Sequence, residues 1–277
     1  KHVKAEYTDV FSARDAITID PASLVYVVGE LQPYCIIDAD RDAVGDAFEV
    51  FIGPALRGAE GQFFTPRNVV KMVVEMVDPS PGDLSLDQAC VPGGFLITAP
   101  DSMWRKLEAE GKRKKWSAVQ LDRKKRDVAT KCFRGIDKDS FLAKVTKAYM
   151  AIMGDGRGGI FCESSVVRPD EWHDATQASI RLGKFDVVVT NPPFGSKIKI
   201  QGAPTISQYD LGHKWKRDKQ TAKFQKTSAL HGDQPPHILF LERCLQFLKP
   251  GGKLGIVLPE SLLGNPSYEY VVNFIMQ

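Results

Sequence analysis

The chain has 277 residues, 43% hydrophobic and 26% charged, with a formal net charge of +3. This composition excludes disordered and fibrous classes and suffices for one large domain plus a smaller one. The charge is too weak to name a partner, so any nucleic-acid reading must rest on local clusters.

Residues 1–58 read as the C-terminal part of a small helical domain, with acidic turns at 38–42 and helical apolar spacing over 44–56. From 66 onward helices and apolar runs alternate. A helix is predicted over 66–77 with Pro66 in its first turn, then strands over 84–90, 132–136, 159–162, 185–190 and 253–258, joined by segments able to form helices. Five buried parallel strands predict an α/β fold, a doubly wound and mostly parallel sheet. The most biased stretch, 112–126, is read as a solvated surface, with a DNA-facing loop as the alternative.

No apolar run approaches the roughly 20 residues of a membrane span, and residues 1–9 lack the apolar centre of a secretory signal. A cytoplasmic protein with no membrane partner is expected. Lys1, in place of a start methionine, suggests that the chain begins part-way through a longer product. Cys35, Cys90, Cys132, Cys162 and Cys244 are widely spaced and form no C-x-x-C pair, so they read as reduced core residues. The five histidines have no ligand spacing, and no metal is expected.

In an open parallel sheet, ligands bind beyond the carboxyl ends of the strands. After 185–190 comes Asn191-Pro192-Pro193-Phe194. An adenine N6 amine is a poor nucleophile because its lone pair is delocalised into the ring. Two acceptors on its N–H groups, the Asn191 Oδ1 and the Pro192 carbonyl, favour the tetrahedral geometry needed for attack. The prolines fix the turn, and Phe194 is placed to stack on a base rotated out of a duplex. The alternative is a strand-ending turn with a core phenylalanine.

Asp87 to Gly93-Gly94 ends the first strand and opens a helix, with glycines where backbone must approach a ligand. Asp137 follows the second strand, where nucleoside-binding folds accept hydrogen bonds from ribose; otherwise it caps the next helix. Gln62-Phe63-Phe64-Thr65-Pro66-Arg67 precedes a helix and in isolation reads as a hydrophobic staple with Thr65 as N-cap. The region 197–226 interleaves Lys199, Lys214, Lys216, Arg217, Lys219 and Lys223 with Tyr209, Trp215 and Phe224, a candidate DNA-contacting loop or a basic surface loop.

Taken in order, G-Q-F-F-T-P-R at 61–67, D-x-A-C at 87–90 with Gly93-Gly94, G-I-D-K-D at 135–139 and D-V-V-V-T-N-P-P-F-G at 186–195 carry a resemblance. So do Gln234-Pro235-Pro236-His237 and the K-P-G-G-K-L-G-I-V-L-P run at 249–259. Over about 45–265 the chain resembles the modification subunits of type I restriction-modification systems, gamma-ordered amino-methyltransferases. The resemblance implies a Rossmann-like methyltransferase domain over 59–277, preceded by the end of a helical domain and cut before its last two strands, which leaves 253–258 as an edge. It implies an S-adenosylmethionine site formed by Gln62, Phe63, Phe64, Thr65, Pro66, Arg67, Asp87, Gly93, Gly94 and Asp137, and an adenine site at Asn191, Pro192, Pro193 and Phe194. It also implies double-stranded DNA as substrate, and a specificity subunit and a restriction subunit as partners. The chain departs from the usual D-P-A-C-G-[ST]-G-G at Gln88, Val91 and Pro92, and Ser164 is shorter than the Asn or Asp usual near that position. Val91 and Pro92 keep open a degenerate scaffold that binds DNA or partners without turnover. An enzyme acting on glutamine side chains or RNA is the other alternative.

Overall fold

The computed structural model describes residues 15–35, 47, 50, 65–90, 93–152, 159–195, 198–221 and 223–276. Its strands in chain order are β1 (Ser85–Asp87), β2 (Phe133–Asp137), β3 (Ile160–Cys162), β4 (Phe185–Thr190), β5 (Ile200–Gln201), β6 (His213–Arg217), β7 (Phe224–Leu230), β8 (Asp233–Gln234) and β9 (Leu248–Ile256). The helices are α1 (Pro21–Leu31), α2 (Arg67–Val77), α3 (Gly94–Lys114), α4 (Ala118–Lys131), α5 (Ser140–Ile152), α6 (Asp174–Ser179), α7 (Ala203–Ile206), α8 (Pro236–Phe247), α9 (Ser261–Gly264) and α10 (Glu269–Ile275).

Five strands pair in parallel in the order β3-β2-β1-β4-β9, the predicted α/β sheet. Their residues read as near-continuous apolar runs because helices cover both faces. Val187 and Val189 of β4 pack with Val70, Val73 and Val74 of α2 and with Phe95 and Leu96 of α3. The intervening Val188 packs the other way, with Cys244 and Phe247 of α8 and with Trp172 and Ile180 around α6. At Gly255 in β9 a Cβ would lie 2.6 Å from Val73 Cγ1, so glycine is what lets α2 rest on that strand. The register of β9 against β4 shifts between Phe185↔Leu248 and Val187↔Lys253, and Gly251 in the intervening bulge has φ +80°. The strand therefore starts five residues before the predicted 253. Among the described residues β9 pairs with β4 alone.

Several expectations are corrected. Pro66 is the N-cap of α2 and lies outside it, and its carbonyl receives the Val69 and Val70 N–H groups, so the Thr65 hydroxyl is not the cap. Residues 197–226 are not one loop: they contain β5, α7 and most of an antiparallel β6–β7 hairpin separate from the main sheet. The basic stretch 112–126 is the end of α3 and the start of α4. At about 1.5 Å per residue, the 21 residues of α3 carry it some 30 Å from the strand carboxyl ends. Glu110, Glu108 and Asp122 pair there with Lys114, Lys125 and Arg126, as on a solvated surface. Only Cys90, Cys132 and Cys244 are core; Cys162, last residue of edge strand β3, and Cys35, after a helix that buries none of its residues, are exposed. The helix expected over 44–56 lies outside the described residues, apart from Ala47 and Val50, which are helical.

Candidate active site

From β1 the chain moves one way across the sheet to β2 and β3, and then returns to the other side of β1 with β4 and β9. Between β1 and β4 the connections diverge, and a crevice opens at their carboxyl ends. Asp87 ends β1 and Thr190 ends β4. Inside this crevice the Thr190 hydroxyl donates to Asp87 Oδ1 at 2.8 Å, and the Ala89 N–H reaches the same oxygen at 3.1 Å. Burial pushes the Asp87 carboxyl up to about 7; the hydrogen bonds from Thr190 and Ala89 oppose this, and the Asp137 carboxylate adds to it.

Asp137 ends β2, 8% exposed, and its Oδ1 accepts the Asp139 N–H at 2.9 Å. The capping alternative for Asp137 does not hold, because Asp139 caps α5 through the Leu142 N–H at 3.0 Å. Beyond β3, Ser164 supplies its carbonyl to Trp172 Nε1 at 3.0 Å. Its neighbour Glu163 accepts from the His173 N–H at 2.8 Å and the Thr176 hydroxyl at 3.1 Å, which fixes the start of α6.

Gly93 is the N-cap of α3 with φ +92°, a conformation open to glycine and strained for other residues. A Cβ there would lie 3.3 Å from Thr146 Cγ2. Thr146 is fully buried and its hydroxyl has no hydrogen-bond partner among the described residues. Gln88, which has no role in the sequence reading, is buried and ties this turn to α8: its Nε2 donates to the Phe240 carbonyl at 2.7 Å and to Cys244 Sγ at 2.8 Å.

Asn191 follows β4 directly. Its Nδ2 donates to Thr65 Oγ1 at 2.9 Å, which joins the strand end to the residue before α2. Its Oδ1 is buried and has no partner among the described residues. Pro192 and Pro193 offer no N–H to it. Phe194 is half-buried and meets the ring of His237 edge-on, with centroids 6.3 Å apart and planes at 72°. Thr65, Asp87, Gly93, Asp137, Asn191 and Phe194 thus stand together at the strand carboxyl ends. Gly94 opens α3, Arg67 opens α2, and Pro66 is exposed. Gln62, Phe63, Phe64, Val91 and Pro92 lie outside the described residues. His237 was missed as a site residue; its one sequence signal is its place in the proline-flanked segment 234–237.

The family model for N-6 DNA methylases matches residues 39–270. The chain belongs to the N-6 DNA methylase family. Curated relatives are the methylase subunits of the type I restriction enzymes MjaIX of Methanocaldococcus jannaschii, 25% identical over 83% of this chain, and EcoKI of Escherichia coli K12, 22% identical over 80%. The chain spans 35% and 36% of their lengths. In fold it is similar to the type I restriction-modification methyltransferase subunit from Streptococcus thermophilus, at TM-score 0.53 and 18% identity, covering 87% of this chain and 44% of that one. As an N-6 DNA methylase family member, it carries the N-P-P-F segment at the end of β4, at the switch point of its sheet. Among the described residues no helix is long and apolar enough to cross a membrane, and no group of His, Cys, Asp and Glu could hold a metal.

Proposed function

We propose that this chain transfers a methyl group from S-adenosylmethionine to adenine N6 in double-stranded DNA, as the catalytic part of a type I modification subunit in the cytoplasm. The observation that carries the reading is the buried Asn191 Oδ1, an acceptor with no partner among the described residues, beside two prolines and Phe194. A buried unpaired acceptor costs about 1–3 kcal/mol, and an incoming amine hydrogen removes that cost.

The residues present fit the methyl donor. Gly93 leaves room that a Cβ would fill, the buried Thr146 hydroxyl beside it has no partner among the described residues, and the Asp137 carboxylate stands at the end of β2, where ribose hydroxyls are bound in such sheets. Gln62, Phe63, Phe64, Thr65, Pro66, Arg67, Asp87 and Gly94 complete the donor site by family resemblance. S-adenosylmethionine, when bound, supplies a methyl group activated by its sulfonium. Asn191 Oδ1 and the Pro192 carbonyl would each accept a hydrogen bond from one N6 N–H, which would draw the nitrogen lone pair out of the ring for attack, with one N6 proton lost to solvent as the methyl group is gained, and Phe194 would hold the extruded base by stacking.

The β6–β7 hairpin is the DNA-contacting element of this proposal. Between 213 and 230 it carries six basic residues and one acid, a net +5 against +3 for the whole chain. Lys226 and Arg217 pair with Asp210 and Glu269, whereas Lys214, Lys216, Lys219 and Lys223 are exposed. Exposed lysines on a two-stranded ribbon match a phosphate backbone. A separate specificity subunit supplies sequence recognition, and a restriction subunit can join.

The test has two parts. Calorimetric titration of S-adenosylmethionine into the chain is expected to show saturable one-to-one binding, lost in Asp137→Ala. Co-expression with the specificity subunit, followed by mapping of N6-methyladenine, is expected to show one modified sequence, with Asn191→Ala reducing the rate by about 100-fold. A folded full-length protein that binds no donor overturns the enzyme reading and leaves a scaffold.

A further inference from the structure

His237 is 6% exposed, and neither ring nitrogen has a hydrogen-bond partner among the described residues. A neutral imidazole carries one N–H donor and one bare nitrogen acceptor, so two hydrogen bonds are left unmade in a buried place. Burial pushes its pKa down, and no carboxylate offsets this. The ring is held between two aromatics, edge-on to Phe194 at 6.3 Å and to Tyr268 at 6.4 Å. It sits in the first turn of α8, whose later residues Phe240 and Cys244 receive the Gln88 amide from the turn after β1. Packing therefore fixes the ring, while no described residue satisfies its polar atoms. Two side chains with unpaired buried atoms flank Phe194: Asn191, three residues earlier in the chain, and His237, against its ring. A core histidine whose purpose was packing would find a carbonyl or a hydroxyl for at least one nitrogen.

We infer that His237 is a second polar contact for the base that stacks on Phe194, hydrogen-bonding a ring nitrogen of that base while Asn191 takes the exocyclic amine. This rests on the proposed reading that the site takes an extruded adenine. A neutral imidazole donates to an unprotonated ring nitrogen, and adenine offers N1 and N7 beside its amine. The contact orients the base in its plane, which stacking alone leaves free.

The experiment measures binding of the full-length methylase–specificity complex to duplexes carrying one unpaired adenine, and to the same duplexes with 1-deazaadenine or 7-deazaadenine at that position. An unpaired base has no pairing energy to lose on extrusion, so its capture is read without turnover. The native complex is expected to bind adenine about tenfold more tightly than one of the two analogues. His237→Phe, which keeps an aromatic ring against Phe194, is expected to lose that preference. His237→Asn, which keeps a donor and an acceptor, is expected to retain part of it. Melting temperature and binding of the methyl donor serve as folding controls. Equal binding of all three bases by the native complex overturns the inference, as does an undiminished preference in folded His237→Phe. Failure of the methyl-transfer reading looks different: adenine discrimination persists and no N6-methyladenine forms under any condition.

Discussion

The Asn191 side chain donates through Nδ2 to Thr65 Oγ1 at 2.9 Å, and this bond sets which way its amide faces. With the nitrogen anchored on Thr65, Oδ1 is left buried and without a partner among the described residues. The residue before α2 thus orients a group at the end of β4.

Removing that anchor tests its role. Thr65→Val keeps the shape and deletes the hydroxyl, freeing the amide to rotate, so the methylation rate is expected to fall about tenfold, the worth of roughly one hydrogen bond. Thr65→Ser is expected to stay near native. Single-turnover kinetics checks both; equal rates in the Val and native proteins would remove Thr65 from the site.

Gly93→Ala introduces a side chain at φ +92°, with its Cβ 3.3 Å from Thr146 Cγ2. The strain is expected to cost about 1–2 kcal/mol, read as a lower denaturant midpoint. Donor affinity is expected to fall further than stability does, because the new carbon fills the space assigned to the ligand. A variant with lower stability and native affinity places the donor elsewhere.

Asp87 gives a pH signature. Its folded pKa is about 7, raised mainly by burial from an ordinary value of 3.8. Between those values the folded protein holds a proton that the unfolded chain has released, so this group's contribution to stability is full below about 4 and declines as pH rises towards 7. Above 7 it no longer changes. Asp87→Asn, isosteric and always neutral, is expected to flatten the fall in melting temperature between pH 5 and pH 8. Parallel curves for the two proteins would show that the carboxyl ionises freely in the fold.

On the hairpin, replacing Lys214, Lys216, Lys219 and Lys223 with Gln is expected to weaken DNA binding across sequences alike. If each lysine neutralises one phosphate, the log–log salt slope falls by about 0.9 per lysine. Donor binding is expected to be unchanged. Fluorescence titrations at several salt concentrations measure the slope, and an unaltered one removes the hairpin from the DNA interface.

The five parallel strands were legible because burial on both faces writes them as uninterrupted apolar runs, and the placement of the candidate site was legible because its residues follow those runs directly. What escaped was carried by contacts across long separations or by polar elements. Strands β6 and β7 read as a basic loop because their outward residues are lysine, glutamine and serine, which hides the alternation with Trp215 and Phe224. Thr65 was read as a cap because a hydroxyl before a helix has that local use, whereas its partner lies 126 positions away. Asp137 and Asp139 both suit a cap, and only the start of α5 at Ser140 decides between them. His237 gives only its place in the segment 234–237; its two ring nitrogens, unpartnered among the described residues, are seen in the fold alone.

Helix α8 touches three separate things. Near its start it presents His237 to Phe194, midway Phe240 and Cys244 hold Gln88, and Glu242 accepts the Asp210 and Leu211 N–H groups at 2.8 and 2.7 Å at the foot of the hairpin. Since each residue of a helix advances the chain by about 100°, one inserted residue within α8 would turn one group of contacts away from the others. Among the described residues, the far end of the hairpin at 218–221 makes no such contact with α8. Change in this protein is therefore expected to be channelled: variation in the proposed DNA contact accumulates at that end, while the helix beneath the foot admits substitutions and not insertions.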